Sequence, residues 1–241
     1  MKTPTCCRAW RGLAEALANN PMRILLLLLP LLVTGCRSVG QSPIRTEAPD
    51  IRRIHPAPGT AIVRFQELDE GVYKGSKPKT EADYEFLQSK GVKYIVELRL
   101  FPGLNLMERK RAKAHGMMLI PATINASPLR PEERHVNHVL CLLHDPRYRP
   151  VYMHCDLGRD RAMLIAGLYG MYYRGLSKEE AYRYMKHYGF KDGWTLGGLK
   201  SYFEKHSESP VEQYVPHCDL PAAPEPDRGA SANIAAPETL E

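Results

Sequence analysis

The chain has 241 residues, and its two ends differ in character from the middle, so a single folded domain is expected. A formal net charge of +6 suits an anionic substrate or a membrane surface, but no Lys/Arg stripe with interleaved aromatic residues supports nucleic-acid binding. Six cysteines without paired ligand spacing argue against a structural metal site.

Taken in order, the chain opens with a preface over residues 1–21 that contains Cys6 and Cys7. Arg23, the apolar run 24–33, and Thr34-Gly35-Cys36 follow. The run is well short of the roughly 20 residues that a bilayer span needs. A basic start, a short apolar core and small terminal residues read as a secretory signal over 1–35. Because Met22 would itself open an ordinary signal, the expectation is either a start at Met22 or an extended basic region. Val33-Thr34-Gly35-Cys36 resembles a bacterial lipobox. That resemblance implies a diacylglycerol group on Cys36 and a lipid anchor on the periplasmic side of a bacterial cell envelope. Arg37 stands where retention in the inner membrane is associated with Asp, which points to the outer membrane. Residues 36–59, with Pro43, Pro49, Pro56 and Pro58, read as the lipidated N-terminus and a flexible tether.

The folded domain is expected over 60–206. Residues 61–65 and 71–73 read as short strands joined through a polar turn at Asp69-Glu70. Thr80, with Asp83 three residues on, caps a helix that runs to about Ser89 and that Gly91 stops. A strand over 94–98 ends at Arg99, which pairs with Glu97 or another nearby carboxylate or else approaches a ligand cleft. Residues 106–114 read as a helix with a basic outward face of Arg109, Lys110, Arg111 and Lys113. That face is either simply solvated or a contact for acidic groups. A strand over 117–121 follows Gly116. Pro131, Glu132 and Glu133 open a helix whose buried stripe is Val136, Val139, Leu140 and Leu143. Cys141 belongs to its core, and His135, His138 and His144 lie at its surface or ends. Residues 150–153 are apolar on both faces, as in a covered parallel strand. The helix over 162–173 is apolar almost all round, with Gly167 and Gly170 permitting close packing. Ser177-Lys178-Glu179-Glu180 is a capping box for a helix to about His187, and a last helix runs over 195–206. Residues 207–241, rich in Pro, Ala, Glu and Ser, read as a disordered tail carrying Cys218. A link from Cys218 to Cys155 is one option for its thiol. Strands alternating with helices give an α/β fold with a short, mostly parallel central sheet flanked by helices.

Between the strand over 150–153 and the core helix stands His154-Cys155-Asp156-Leu157-Gly158-Arg159-Asp160-Arg161. A cysteine at the end of that strand lies under the positive end of the helix dipole. Amides turned inward around Gly158 make a nest for an oxyanion, and Arg161 adds a planar fork for two oxygens. These features favour a thiolate, so Cys155 is expected to titrate below the ordinary ~8.5 of a free thiol. The alternative is a small core cysteine at a strand end.

This His-Cys-x5-Arg pattern resembles the signature loop of the cysteine-dependent protein tyrosine and dual-specificity phosphatases. The Gly-Arg-Asp-Arg ending is most similar to the bacterial, atypical branch. Segments 71–78, 91–99 and 176–181 are similar to that branch as well. The resemblance implies a monomeric, phosphatase-like domain that needs no metal or other cofactor. It would hydrolyse phosphomonoesters, as on phosphotyrosine, phosphoserine or phosphothreonine protein, through a cysteinyl-phosphate. It further implies Cys155 as nucleophile, Arg161 as phosphate clamp, Asp156, Leu157, Gly158 and Arg159 as substrate-binding residues, and His154 as their support. Two departures stand out. Ala162 replaces the usual Ser or Thr after the arginine, and the region 120–128, with Asn125, lacks the usual acid. Asp160 is the best substitute acid, its alternative role being an ion pair with Arg159 or Arg161; Glu132 and Glu133 are further candidates. The competing readings are a phosphate-binding module of weak catalytic power, a phosphoinositide or inositol phosphate phosphatase, and a sulfurtransferase.

Overall fold

A computed structural model describes residues 55–99, 105–126, 129–191, 193 and 196–226. The chain divides into two units, Met1–Gly40 and Gln41–Glu241, and every described residue belongs to the second. The expected signal over 1–35, the lipidation at Cys36 and the tether up to residue 54 lie outside the described residues.

The strands are β1 Gln66–Asp69, β2 Val72–Ser76, β3 Tyr94–Glu97, β4 Met118–Pro121 and β5 Val151–Cys155. The described helices are α1 Glu81–Ser89, α2 Leu106–Ala114, α3 Glu133–His144, α4 Arg161–Arg174, α5 Lys178–His187 and α6 Gly197–His206. They form an α/β fold on one sheet of order β1-β2-β5-β3-β4. Only β1 and β2 pair antiparallel; the other three pairings are parallel. β5 is central and buried along its whole length, as its unbroken apolar run requires. Alternation along the strand sends Val151, Met153 and Cys155 into one core with α3 to α6, and Tyr152 into a second core with α1 and α2. Cys155 therefore emerges at the carboxyl edge of the sheet, where ligands of open α/β sheets bind.

Local signals act where the sequence placed them. Thr80 and Asp83 form the capping box of α1, and Ser177 and Glu180 that of α5. The exception is α3, which begins at Glu133 with Glu132 as its N-cap, so Pro131, expected at the first helical position, lies just outside it. The expected strand over 61–65 is absent. Val63 instead exchanges hydrogen bonds with Ser76, giving its carbonyl to the Ser76 amide at 3.0 Å and its amide to Ser76 Oγ at 3.0 Å. Arg64 then turns the chain with a φ of 56°. A residue in the left-handed region ends extension, so the segment caps the end of β2 and the antiparallel partner starts only at Gln66.

The expected disordered tail is overturned for residues 207–226. A 3-10 turn spans Val211–Tyr214, and Cys218 is joined to Cys141 by a disulfide. The carbonyls of Leu220, Pro221 and Pro224 accept hydrogen bonds from Arg147 at 3.1 Å, Tyr148 at 3.3 Å and Tyr94 at 2.7 Å. Backbone carbonyls and a covalent bond hold this segment, so it shows no apolar period. Cys141 is thus not a simple core thiol, Cys218 is not a partner for Cys155, and Cys155 is the free cysteine among the described residues. Residues 227–241 lie outside the described residues.

The disulfide closes a loop spanning 77 residues, which restricts the unfolded chain. The Cys141→Ala/Cys218→Ala double variant is expected to lose about 2–4 kcal/mol of unfolding free energy. Urea titration of the oxidised wild type beside the variant measures it, and overlapping curves would show the tail to be held by other contacts.

Candidate active site

Cys155 ends β5 and Arg161 begins α4, so Asp156 to Asp160 make the whole passage from strand to helix. Gly158 has a φ of +62°, and a Cβ there would meet the Gly75 carbonyl carbon at 2.4 Å. A Cβ on Gly75 would in turn meet Tyr152 Oη at 2.4 Å. The two glycines let the loop lie directly on the backbone of β2. Tyr152 Oη secures that backbone by donating to the Ser76 carbonyl at 2.6 Å.

Three successive carbonyls of the loop are held by donors. Asp156 O accepts from the Lys77 amide at 3.2 Å, Leu157 O from Arg64 Nη1 at 3.1 Å, and Gly158 O from Lys74 Nζ at 3.2 Å. In a planar trans peptide the N–H points opposite to the carbonyl it shares a unit with. The amides of Leu157, Gly158 and Arg159 are therefore turned away from those three donors, and none of them donates to an acceptor among the described residues. Successive amides turned to one side form an anion nest. Arg161 stands at the start of α4, where the helix dipole is positive. Its buried Nε has no hydrogen-bond partner among the described residues. Cys155 itself is buried beneath the loop.

Cations and carboxylates surround this frame. Arg64 also donates from Nε to the Tyr188 carbonyl at 3.1 Å. Burial, then neighbouring Arg159, pulls the Arg64 pKa down, against the pull of Asp160 and Cys155. Lys74 is completely buried, and burial brings its pKa to about 7 despite the favourable charge of Cys155. On the opposite face of the sheet, His154 Nε2 lies 2.7 Å from Glu108 Oε1, with both side chains buried. His154 Nδ1 faces the Cys155 carbonyl at 3.3 Å. Burial would raise the Glu108 carboxyl, but His154, Lys77 and Arg99 outweigh it and hold the group below its ordinary range. Arg99 bonds Glu97 and Asn105, and reaches Glu108 at 3.0 Å and Asp156 at 3.2 Å. It pairs with Glu97, as the first of the two readings had it, and also reaches the loop through Asp156. Burial, then the nearby Glu108 charge, raises the Glu97 pKa.

The remaining candidates are placed as follows. Asp156 and Leu157 are exposed at the rim. Arg159 grips Asp160 through Nε at 3.0 Å and Nη2 at 2.9 Å, and the Lys191 amide donates to the same carboxylate at 3.2 Å. Ala162 is fully buried in the first turn of α4. Asn125 is half-buried after β4. Glu132 pairs with Arg134 at 2.6 Å and Glu133 faces His206 at 3.6 Å, so both are engaged away from the loop. Among the described residues no cluster of three or more His, Cys, Asp or Glu is arranged for a metal ion.

Sequence reasoning missed Lys74, Arg64, Asn105 and Glu108. A lysine inside a short strand beside glycine was a usable signal for Lys74. Glu108 was hidden among the basic residues of α2.

A strand-end cysteine, a glycine-turned loop with three tethered carbonyls and an arginine at the start of the next helix are the features of a cysteine-dependent phosphatase. The chain belongs to the family described as DSP-PTPase phosphatase fused to NAD+ kinase, whose model matches residues 43–195. No curated protein sequence matches it. Solved structures share the fold. The core catalytic domain of the PP-IP phosphatase SIW14 from S. cerevisiae, in complex with citrate, is 17% identical with a TM-score of 0.53, over 66% of this chain and 93% of that one. P. aeruginosa TpbA is 23% identical with a TM-score of 0.52, over 67% and 92%. A TpbA variant in complex with phosphotyrosine is 20% identical with a TM-score of 0.51, over 67% and 91%.

Gly158→Ala would force the loop off β2 and turn its amides from the nest. Loss of nest donors costs about 10²–10³ in kcat, and this variant is expected to lose at least that much. Steady-state assay with circular dichroism as a folding control measures it; near-normal turnover would refute the role given to the loop.

Proposed function

We propose that this phosphatase hydrolyses phosphomonoesters of protein, on tyrosine, serine or threonine, through a cysteinyl-phosphate. The observation that carries the reading is the set of three tethered carbonyls in the loop that follows Cys155, which leaves the amides of Leu157, Gly158 and Arg159 turned away from the donors. The Cys155 thiolate attacks phosphorus, forming an S–P bond as the P–O bond to the leaving group breaks. Arg161 and the amides of Leu157, Gly158 and Arg159 hold the other phosphoryl oxygens. Asp160, freed from Arg159 as the substrate phosphate draws that guanidinium, takes up a proton from solvent and gives it to the leaving oxygen. Water then attacks phosphorus, giving a proton to the Asp160 carboxylate as the S–P bond breaks; inorganic phosphate is released and the thiolate is regenerated.

The substrate class rests on the rim. Leu157, 46% exposed, offers apolar contact to an aromatic ring. Asp156 sets negative charge beside the nucleophile, which disfavours densely phosphorylated substrates such as inositol pyrophosphates. The phosphotyrosine bound by a protein of the same fold supports the protein substrate. A second reading, a phosphate-binding domain that turns over poorly, is favoured by one observation. The buried start of α4 carries Ala162, so no hydroxyl is available there to stabilise the leaving thiolate in the second step.

The proposal extends to place: a domain anchored through lipid on Cys36 to a bacterial outer membrane, on the periplasmic side. The Cys141–Cys218 disulfide supports an oxidising compartment. Labelled palmitate is expected to enter the wild type and not Cys36→Ala, which should fractionate as soluble. An unlabelled wild type would overturn the anchor.

Aryl and alkyl phosphates, tested side by side, distinguish the chemical readings. Cys155→Ser should have no measurable activity. Asp160→Asn should lose about 10²–10⁴ on the alkyl ester and less on the aryl ester. The wild type should show a burst, and Ala162→Ser should turn over about 10- to 150-fold faster, as expected for one hydrogen bond to a charged group. A wild type without turnover that still binds phosphate would establish the second reading.

A further inference from the structure

Lys74 is a buried ionisable group that the reaction just described does not use. In register, Lys74 stands opposite Met153 and Ser76 opposite Cys155. Side chains two apart on a strand share a face, so Lys74 and Cys155 project to the same side of the sheet as diagonal neighbours on adjacent strands. The lysine side chain has no exposed surface. Its Nζ donates to the Gly158 carbonyl at 3.2 Å and lies 5.1 Å from the centre of the Tyr188 ring.

A buried ammonium needs compensation, ordinarily a carboxylate. The groups facing Lys74 supply none. From the segment before β1 comes the cation Arg64, which opposes its charge. From the end of α5 comes the face of Tyr188, and from the loop the Gly158 carbonyl. From β5 comes Cys155, the one group among the described residues whose ionisation favours the ammonium.

We propose that Lys74 is the positioning residue of the nucleophile, a counter-cation to the Cys155 thiolate that also orients the nest by holding the Gly158 carbonyl. This rests on Cys155 being the nucleophile. By linkage the pair is mutually stabilising: an ionised sulfur keeps the amine protonated, and the ammonium keeps the sulfur ionised. With its pKa brought to about 7, the ammonium is present in acid and lost as pH rises through neutrality. The proposal therefore includes an alkaline limb in kcat/KM near that pH, set by the lysine.

The test follows the rate of Cys155 alkylation by iodoacetamide against pH, with kcat/KM on an aryl phosphate, in wild type, Lys74→Met and Lys74→Arg. Lys74→Met is expected to need a higher pH for half-maximal alkylation and to lose about 10- to 150-fold in kcat/KM, the range for a hydrogen bond involving a charged group. Lys74→Arg keeps the charge and does not deprotonate. It should restore alkylation at acid pH and abolish the alkaline limb near neutrality. A folded Lys74→Met with the wild-type alkylation profile overturns the proposal, and so does a Lys74→Arg that keeps the limb. If Lys74→Met does not fold, the Lys74→Arg profiles decide alone. Absence of a trapped cysteinyl-phosphate in the wild type would instead strike the phosphatase mechanism, because alkylation reports on the sulfur without any turnover.

Discussion

The carbonyls of Asp156, Leu157 and Gly158 must be held from behind before anything can be bound in front. Their donors come from the end of β2, from the segment before β1 and from within β2. Because each peptide unit is a rigid plane, fixing the oxygen fixes the amide hydrogen on the other side. β2 is thus the frame of the site rather than merely a neighbour of β5. Gly75 and Gly158 are the residues whose missing side chains allow that contact.

Alternation along β5 supports the loop from both faces of the sheet. Cys155 shares one face with Lys74, and its neighbour His154 goes to the other, where Glu108 meets it. The second face is a chain of charges. Arg99 joins Glu97, Asn105 and Glu108, Asn105 bonds Glu97, and Arg99 extends to Asp156 at the rim. Two buried carboxylates side by side would repel strongly. His154, Lys77 and the Arg99 guanidinium offset that repulsion and hold the Glu108 carboxyl below its ordinary range.

Most of the architecture was readable from local pattern. The capping boxes, the apolar run of β5 and the all-round apolar helix α4 depend on residues within a few positions of one another. The misreadings share a cause: they concern segments stabilised by distant partners. Residues 61–65 look like a strand but close onto Ser76. The region 207–226 looks unstructured because Cys141 and three side-chain donors far back in the chain hold it. Asp160 shows the same limit, since either of its two roles suits its place in the motif and only the fold shows Arg159 upon it.

The sequence alone determined a strand, a loop turned by glycine and a helix opened by arginine, with a cysteine at the join. It could do so because hydrophobic period, glycine freedom and a fixed spacing act between near neighbours. The tertiary structure decided what stands behind that loop. Lys74 and Arg64 meet it across separations of 84 and 93 residues. Such contacts follow from the order in which strands pair, which no local pattern encodes.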